Sequence, residues 1–141
     1  MNATINPDYK KRIETCLFLL RLGVFIVMFV WTMGKFFDPA HTIRYFNRFF
    51  LIGGLVKPIV YTIGVIEMLF IVAFLGGLWK RYTYGVVLFL HSVSTFMTWK
   101  KYTIDIHLLF FTAWPMLAAC VALYVLRDLD VKFTVRQWFK K

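Results

Sequence analysis

Acidic residues are scarce in this chain: 7 Asp and Glu stand against 17 Lys and Arg, leaving a formal net charge of +10. In a soluble protein that excess would point to nucleic acid. Here 60% of the residues are hydrophobic and 20% are aromatic, with a mean hydropathy of +0.68. Such a composition excludes disorder and is too apolar for a soluble domain of this length. The basic residues gather at the ends of apolar runs, where a membrane protein presents charge to lipid headgroups, so nucleic acid is not an expected partner. Cysteine is nearly absent. Cys16 and Cys120 stand alone and no CxxC occurs, so neither a dithiol centre nor a zinc site is supported. Each reads as a small core residue. No signal peptide is expected either: MNATINPDYKKRIE is polar, and the apolar run after it is too long for a signal core.

What fills the sequence instead is long apolar runs. Four stand out, at about 13–37 (broken by Arg21), 58–78, 83–99 (containing His91) and 104–126 (opening with Asp105 and His107). A helix needs about 20 apolar residues, at 1.5 Å each, to cross a hydrocarbon layer about 30 Å thick. The links WKRY and KKYT are short, so consecutive helices are antiparallel neighbours. The expected fold is all-α: a single membrane domain over 1–141, built as a four-helix transmembrane bundle. Ala73-x-x-x-Gly77 and Ala118-x-x-x-Ala122 would let helices approach closely, and Trp114-Pro115 predicts a kink in the fourth.

Between the first two runs, Asp38-Pro39 is a helix start, an N-cap acid followed by proline at the first helical position. Ile43, Phe46, Phe49 and Phe50 follow at helical spacing, with Arg44, Asn47 and Arg48 between them. They predict an amphipathic helix over about 39–52 that lies in the interface and ends at Gly53-Gly54. The tail, 127–141, alternates Leu129, Val131, Phe133 and Val135 with polar residues. That predicts an extended segment, with Trp138-Phe139 and Lys140-Lys141 at the headgroups, or a docking edge for a partner subunit. Ten basic residues fall on the side of the termini and six on the other. The positive-inside rule then puts both termini in the cytoplasm, and the expected location is a bacterial cytoplasmic (inner) membrane.

Glu67 is the one charge in PIVYTIGVIEMLFIVAFLGGL, about 14 Å from the Pro58 end and so near the bilayer centre. An acid there is costly unless paired, protonated or wetted, which makes it a functional candidate. Arg21 on the first helix and His91 on the third lie at a similar depth. Arg21 cannot lose its proton and needs an acceptor, and Glu67 is the acid whose depth matches it. His91, Ser94, Thr95 and Thr98 share one helix face, which should turn inward. The expected pocket is therefore Arg21, Glu67, His91, Ser94 and Thr95. It could hold a quinone carbonyl or a lipid headgroup beside the aromatic walls of Tyr61, Trp31 and Trp114. The plainer reading is a charge pair and a satisfied histidine that fix helix register.

A second cluster, Lys35, Asp38, His41, Asp105 and His107, belongs to the opposite face. Two histidines and two acids could ligate a metal. No HxxxH spacing supports that, and a solvated rim is the preferred reading. His91 and His107 lie at different depths, which argues against haem held between them.

The segments LLRLGVFIVMFVWTMGKFFDP and GVIEMLFIVAFLGGLWKRYT resemble the DoxX-like family, small four-helix membrane proteins that include DoxX, DoxD and MauE relatives. Arg21, Gly34, Lys35, Glu67 and Gly77 carry the likeness, which extends over about 15–126. The resemblance implies association with membrane oxidoreductases, including a thiosulfate:quinone oxidoreductase. The cysteines of relatives linked to disulfide handling are missing here, which argues against a thiol-redox role. The leading expectation is a non-autonomous subunit of a quinone-linked membrane redox complex. Its partners would be membrane lipids, other membrane subunits and, in a homo-oligomer, further copies of itself. The alternatives are a non-catalytic assembly or structural subunit, and a small proton-coupled transporter working through Glu67.

Overall fold

Asn6 and Pro7 start the first helix. The Asn6 side chain accepts a hydrogen bond from the Asp8 backbone N–H at 3.0 Å, and Pro7 occupies a first-turn position where its missing N–H costs nothing. The computed structural model describes residues 6–104 and 106–135. Among these, every regular element is helical. Helix α1 is Pro7–Phe37, and α2 is Pro39–Tyr45, continued by a π-helical turn at Phe46–Phe50. Then come α3 (Lys57–Leu75), α4 (Lys80–Met97), the short α5 (Lys100–Thr103), a 3-10 segment at Leu108–Thr112, and α6 (Ala113–Val125).

Asp38 serves two helices at once. Its backbone N–H closes α1 on the Gly34 carbonyl at 2.9 Å, and its carboxylate caps α2 by accepting from the His41 N–H at 2.9 Å. The chain therefore turns sharply there, and α2 lies against the end of α1 and against α3. At the far end of α3 the chain reverses at Gly77, whose φ is +63°. Leu78 N–H returns to the Ala73 carbonyl and Gly77 N–H to that of Phe74, the pair of bonds that ends a helix on a left-handed glycine.

The long helices form a ring: α1 packs along α3, α3 against α4 and α4 against α6, while α1 and α6 touch more sparingly. The core contains Leu17, Val24, Met28, Ile71, Phe74 and Leu123. Helix α1 buries Leu17, Arg21, Val24, Met28, Thr32 and Lys35. These are three or four residues apart, a single inward stripe, and two of its six members are cations. Large apolar side chains such as Ile26, Val65, Leu69, Val72 and Val125 point outward and are exposed.

Three helical stretches are long and apolar enough to cross a membrane: Pro7–Phe37, Lys57–Leu75 and Leu108–Val125. Helix α4 falls short of that standard because Lys80 and Arg81 open it and His91, Ser92, Ser94 and Thr95 interrupt it. The sequence predicted a continuous fourth helix kinked at Pro115. In the structure the α-helix begins at Ala113, so the proline sits in its first turn, and the residues before it are 3-10. Proline carries no N–H and crowds the carbonyl four residues back, so a helix start suits it better than a helix interior.

The tail is the larger correction. Its described part is not extended toward a surface but turns back at 126–129 and 132–133 and enters the bundle. Asp130 and Thr134 are fully buried, and Val135 N–H bonds the Gly76 carbonyl at 2.9 Å. The expected headgroup contacts of Trp138, Phe139, Lys140 and Lys141 lie outside the described residues.

Candidate functional site

Two charged constellations result, one for each cation of the α1 stripe. The first is a closed lock. Arg21 and Asp130 form an ion pair at 3.0 Å with both side chains fully buried. The Tyr84 hydroxyl donates to the same Asp130 oxygen at 2.7 Å and accepts from Arg21 at 3.2 Å. The second guanidinium nitrogen donates to the Lys132 carbonyl at 2.6 Å. Lys80 donates to the backbone carbonyls of Arg127 and Asp130, and Lys132 to the Thr15 hydroxyl at 3.0 Å. Phe18 packs on Phe133 with centroids 4.9 Å apart.

This corrects the expected partner of Arg21. The guanidinium needs several acceptors, which a single carboxylate on a neighbouring helix cannot supply. The folded-back tail offers a carboxylate and two carbonyls together. Asp130 and Tyr84 were not singled out in the sequence. The signal for Asp130 was Arg21 itself, a cation needing an acid, but the alternation in the tail predicted an extended segment at the headgroups or a docking edge.

The second constellation is open. Lys35 pairs with Glu67 at 2.7 Å, their side chains 10% and 13% exposed. Close approach of α1 and α3 makes this possible. A Cβ on Gly64 would lie 2.9 Å from the Phe36 ring and 3.4 Å from the Lys35 Cβ, so a large side chain there would wedge the helices apart. The pair forms part of the wall of a cavity of about 1330 Å³ between α1, α2, α3, α4 and α6.

His91, Ser94, Thr95 and Thr98 all line this cavity, as do Lys35, His41 and Glu67. Arg21 does not. The pocket drawn from the sequence thus loses its arginine to the lock and gains a lysine from the other predicted cluster. The rest of that cluster disperses: Asp38 is a helix cap, and His107 is exposed against Phe110. Asp105 lies outside the described residues. No group of three or more His, Cys, Asp or Glu close enough to hold a metal occurs among the described residues.

Within the cavity, His91 Nε2 donates to the Ala113 carbonyl at 3.0 Å, which joins α4 to the start of α6. Thr95 and Thr98 hydroxyls return to carbonyls of their own helix at 2.8 and 2.9 Å. Tyr45, from the end of α2, sits edge-on to Trp31 at 5.6 Å and reaches toward Ser94. Burial raises its phenol above the ordinary value of 10, opposed by the Ser94 hydroxyl. The site therefore offers one neutralised charge pair, several hydroxyls and imidazoles, and flat aromatic walls.

No family model, curated protein or solved structure matches this chain. The chemistry of the cavity has to be read from its own residues.

Proposed function

We propose that the chain is an integral membrane protein of the DoxX-like type, its four long helices crossing the bilayer. In this reading it serves as a quinone-holding subunit of a membrane oxidoreductase complex. The outward band of large apolar side chains supports insertion, since a soluble monomer does not expose such a surface. Helix α4 then crosses with its polar face turned to the cavity and the bundle, where lipid does not meet it. The ten-to-six bias of basic residues supports termini in the cytoplasm, and the membrane of this reading is a bacterial inner membrane.

The observation that carries the functional reading is the Lys35–Glu67 pair in the wall of the cavity. The pair is neutral as a unit, so the polar end favours an uncharged, hydrogen-bonding head over an anionic phosphate. Lys35, Tyr45 and Ser94 offer donors to a carbonyl oxygen, and Trp31, Phe46 and Phe110 offer faces to a flat ring. A cavity of about 1330 Å³ exceeds the roughly 300–1,000 Å³ of drug-sized pockets, leaving room for more than the ring. A quinone supplies two-electron, two-proton redox chemistry. The residues here bind and orient it, while a partner subunit brings the electrons.

The test is mild-detergent purification from native membranes, followed by protein mass spectrometry and an optical spectrum. The proposal expects a redox-active subunit to accompany the chain. A chain that purifies alone from intact native membranes, with no redox subunit at any detergent strength, overturns it.

A further inference from the structure

The cavity has a direction. Along α1 its wall extends from Cys16 to Lys35, 19 residues apart and so about 28 Å of helix. Its polar groups collect at the Lys35 end, with His41, Glu67, His91, Ser94 and Thr98. Toward Cys16 the lining changes to Leu19, Leu20, Gly23, Val24 and Val27. Helices α4 and α6 line it only as far as Phe89 and Ala119, each about midway along its helix. The polar half is therefore walled by several helices, and the apolar half ends as a furrow lined by α1.

Resting on the reading of the cavity as a quinone site, we infer that its ligand is a long-tailed polyprenyl quinone that enters sideways between α1 and α6. The ring lies at Lys35–Glu67 and the tail lies along α1 to Cys16. The furrow itself, from Cys16 to Val27, is 11 residues and so about 16 Å of helix, a length that suits an extended chain beyond the ring and is wasted on a bare ring. Helices α1 and α6 are the loosest neighbours in the ring of helices, so the lateral opening falls between them. A tail already surrounded by lipid gains nothing hydrophobic by moving into the furrow, so it contributes packing and register more than affinity.

Cys16 gives a direct reporter of that register. It is exposed, whereas Cys120 is buried, so alkylation by N-ethylmaleimide reads the furrow's end. The full chain in detergent is mixed with two fully ring-substituted benzoquinones, which resist thiol addition, one without a tail and one with a long polyprenyl tail. Ring binding is followed by tryptophan fluorescence quenching and the furrow by the alkylation rate of Cys16. The inference expects both quinones to quench but only the tailed one to slow alkylation. In Gly23→Leu, whose side chain enters open space in the furrow, protection is lost and quenching stays.

If both quinones bind and Cys16 reacts equally fast with each, the inference is overturned and the quinone site stands. If neither binds, the quinone site itself fails and the inference falls with it. Protection that survives Gly23→Leu also overturns the proposed path of the tail.

Discussion

Arg21 and Asp130 are 109 residues apart in the chain and 3.0 Å apart in the fold, with no exposed side-chain surface on either. The pair ties the first helix to the segment after the last one and closes one end of the bundle. Tyr84 completes it from α4. Removing either charge strands the other where water does not reach. Asp130→Asn and Arg21→Met should each destabilise the fold by about 3–5 kcal/mol, measured by thermal unfolding in detergent. The double variant Arg21→Met/Asp130→Leu should recover most of that loss, since an apolar pair leaves no buried charge. Equal losses in the single and double variants would contradict the lock.

Tyr84→Phe removes one hydroxyl that donates to Asp130 and accepts from Arg21. The ion pair remains, so the expected cost is about 1–3 kcal/mol, below that of either charge variant. The same unfolding measurement ranks the three.

Gly77 is needed twice over. Its φ is +63°, and an added Cβ would lie 2.6 Å from Thr134 Cγ2 and 3.2 Å from an Arg21 nitrogen. Gly77→Ala should therefore destabilise by at least about 1–2 kcal/mol and loosen the tail segment against the bundle. Faster limited proteolysis after residue 126, with α1 and α3 still protected, is the expected pattern. Unchanged cleavage would show that the tail is held without this close approach.

Lys35 and Glu67 should answer differently from the lock. Lys35 is two residues from the end of α1, so its stem can carry the ammonium outward if its partner is neutralised. Glu67→Gln should cost only about 1 kcal/mol of stability yet weaken quinone binding about tenfold. A large stability loss with unchanged binding would make the pair structural. Fluorescence titration and thermal unfolding on one sample separate these outcomes.

Gly64 sets the distance across which that pair forms. Gly64→Leu should push α1 from α3 and reduce quinone binding as far as Glu67→Gln does. Gly64→Ala should be much milder, because the nearest atoms belong to the Phe36 ring, which can swing. Binding titrations of both variants check the order.

Much of the fold could be read from the apolar runs, because helix-length hydrophobic stretches leave few alternatives. The Asp38-Pro39 start was legible for the same local reason, since a cap and its proline act within one turn. Pro115 was misread because the sequence does not reveal how much of an apolar run is α-helical before a proline. Arg21 was recognised as a buried cation needing an acceptor, but its acceptor depended on how the chain after 126 turns back. That is tertiary information, carried by Asp130 meeting a guanidinium from 109 residues away. The face of His91, Ser94, Thr95 and Thr98 was visible from helical spacing. The entry of Lys35 into the same cavity was not, because it depends on α1 and α3 closing over Gly64.

The most direct test of the central claim is the lipid extracted from the chain purified out of native membranes, compared between wild type and Glu67→Gln. The account predicts a polyprenyl quinone in near-stoichiometric amount with the wild type and far less with the variant. Phospholipid alone in both, with no quinone enriched over the membrane background, would contradict it.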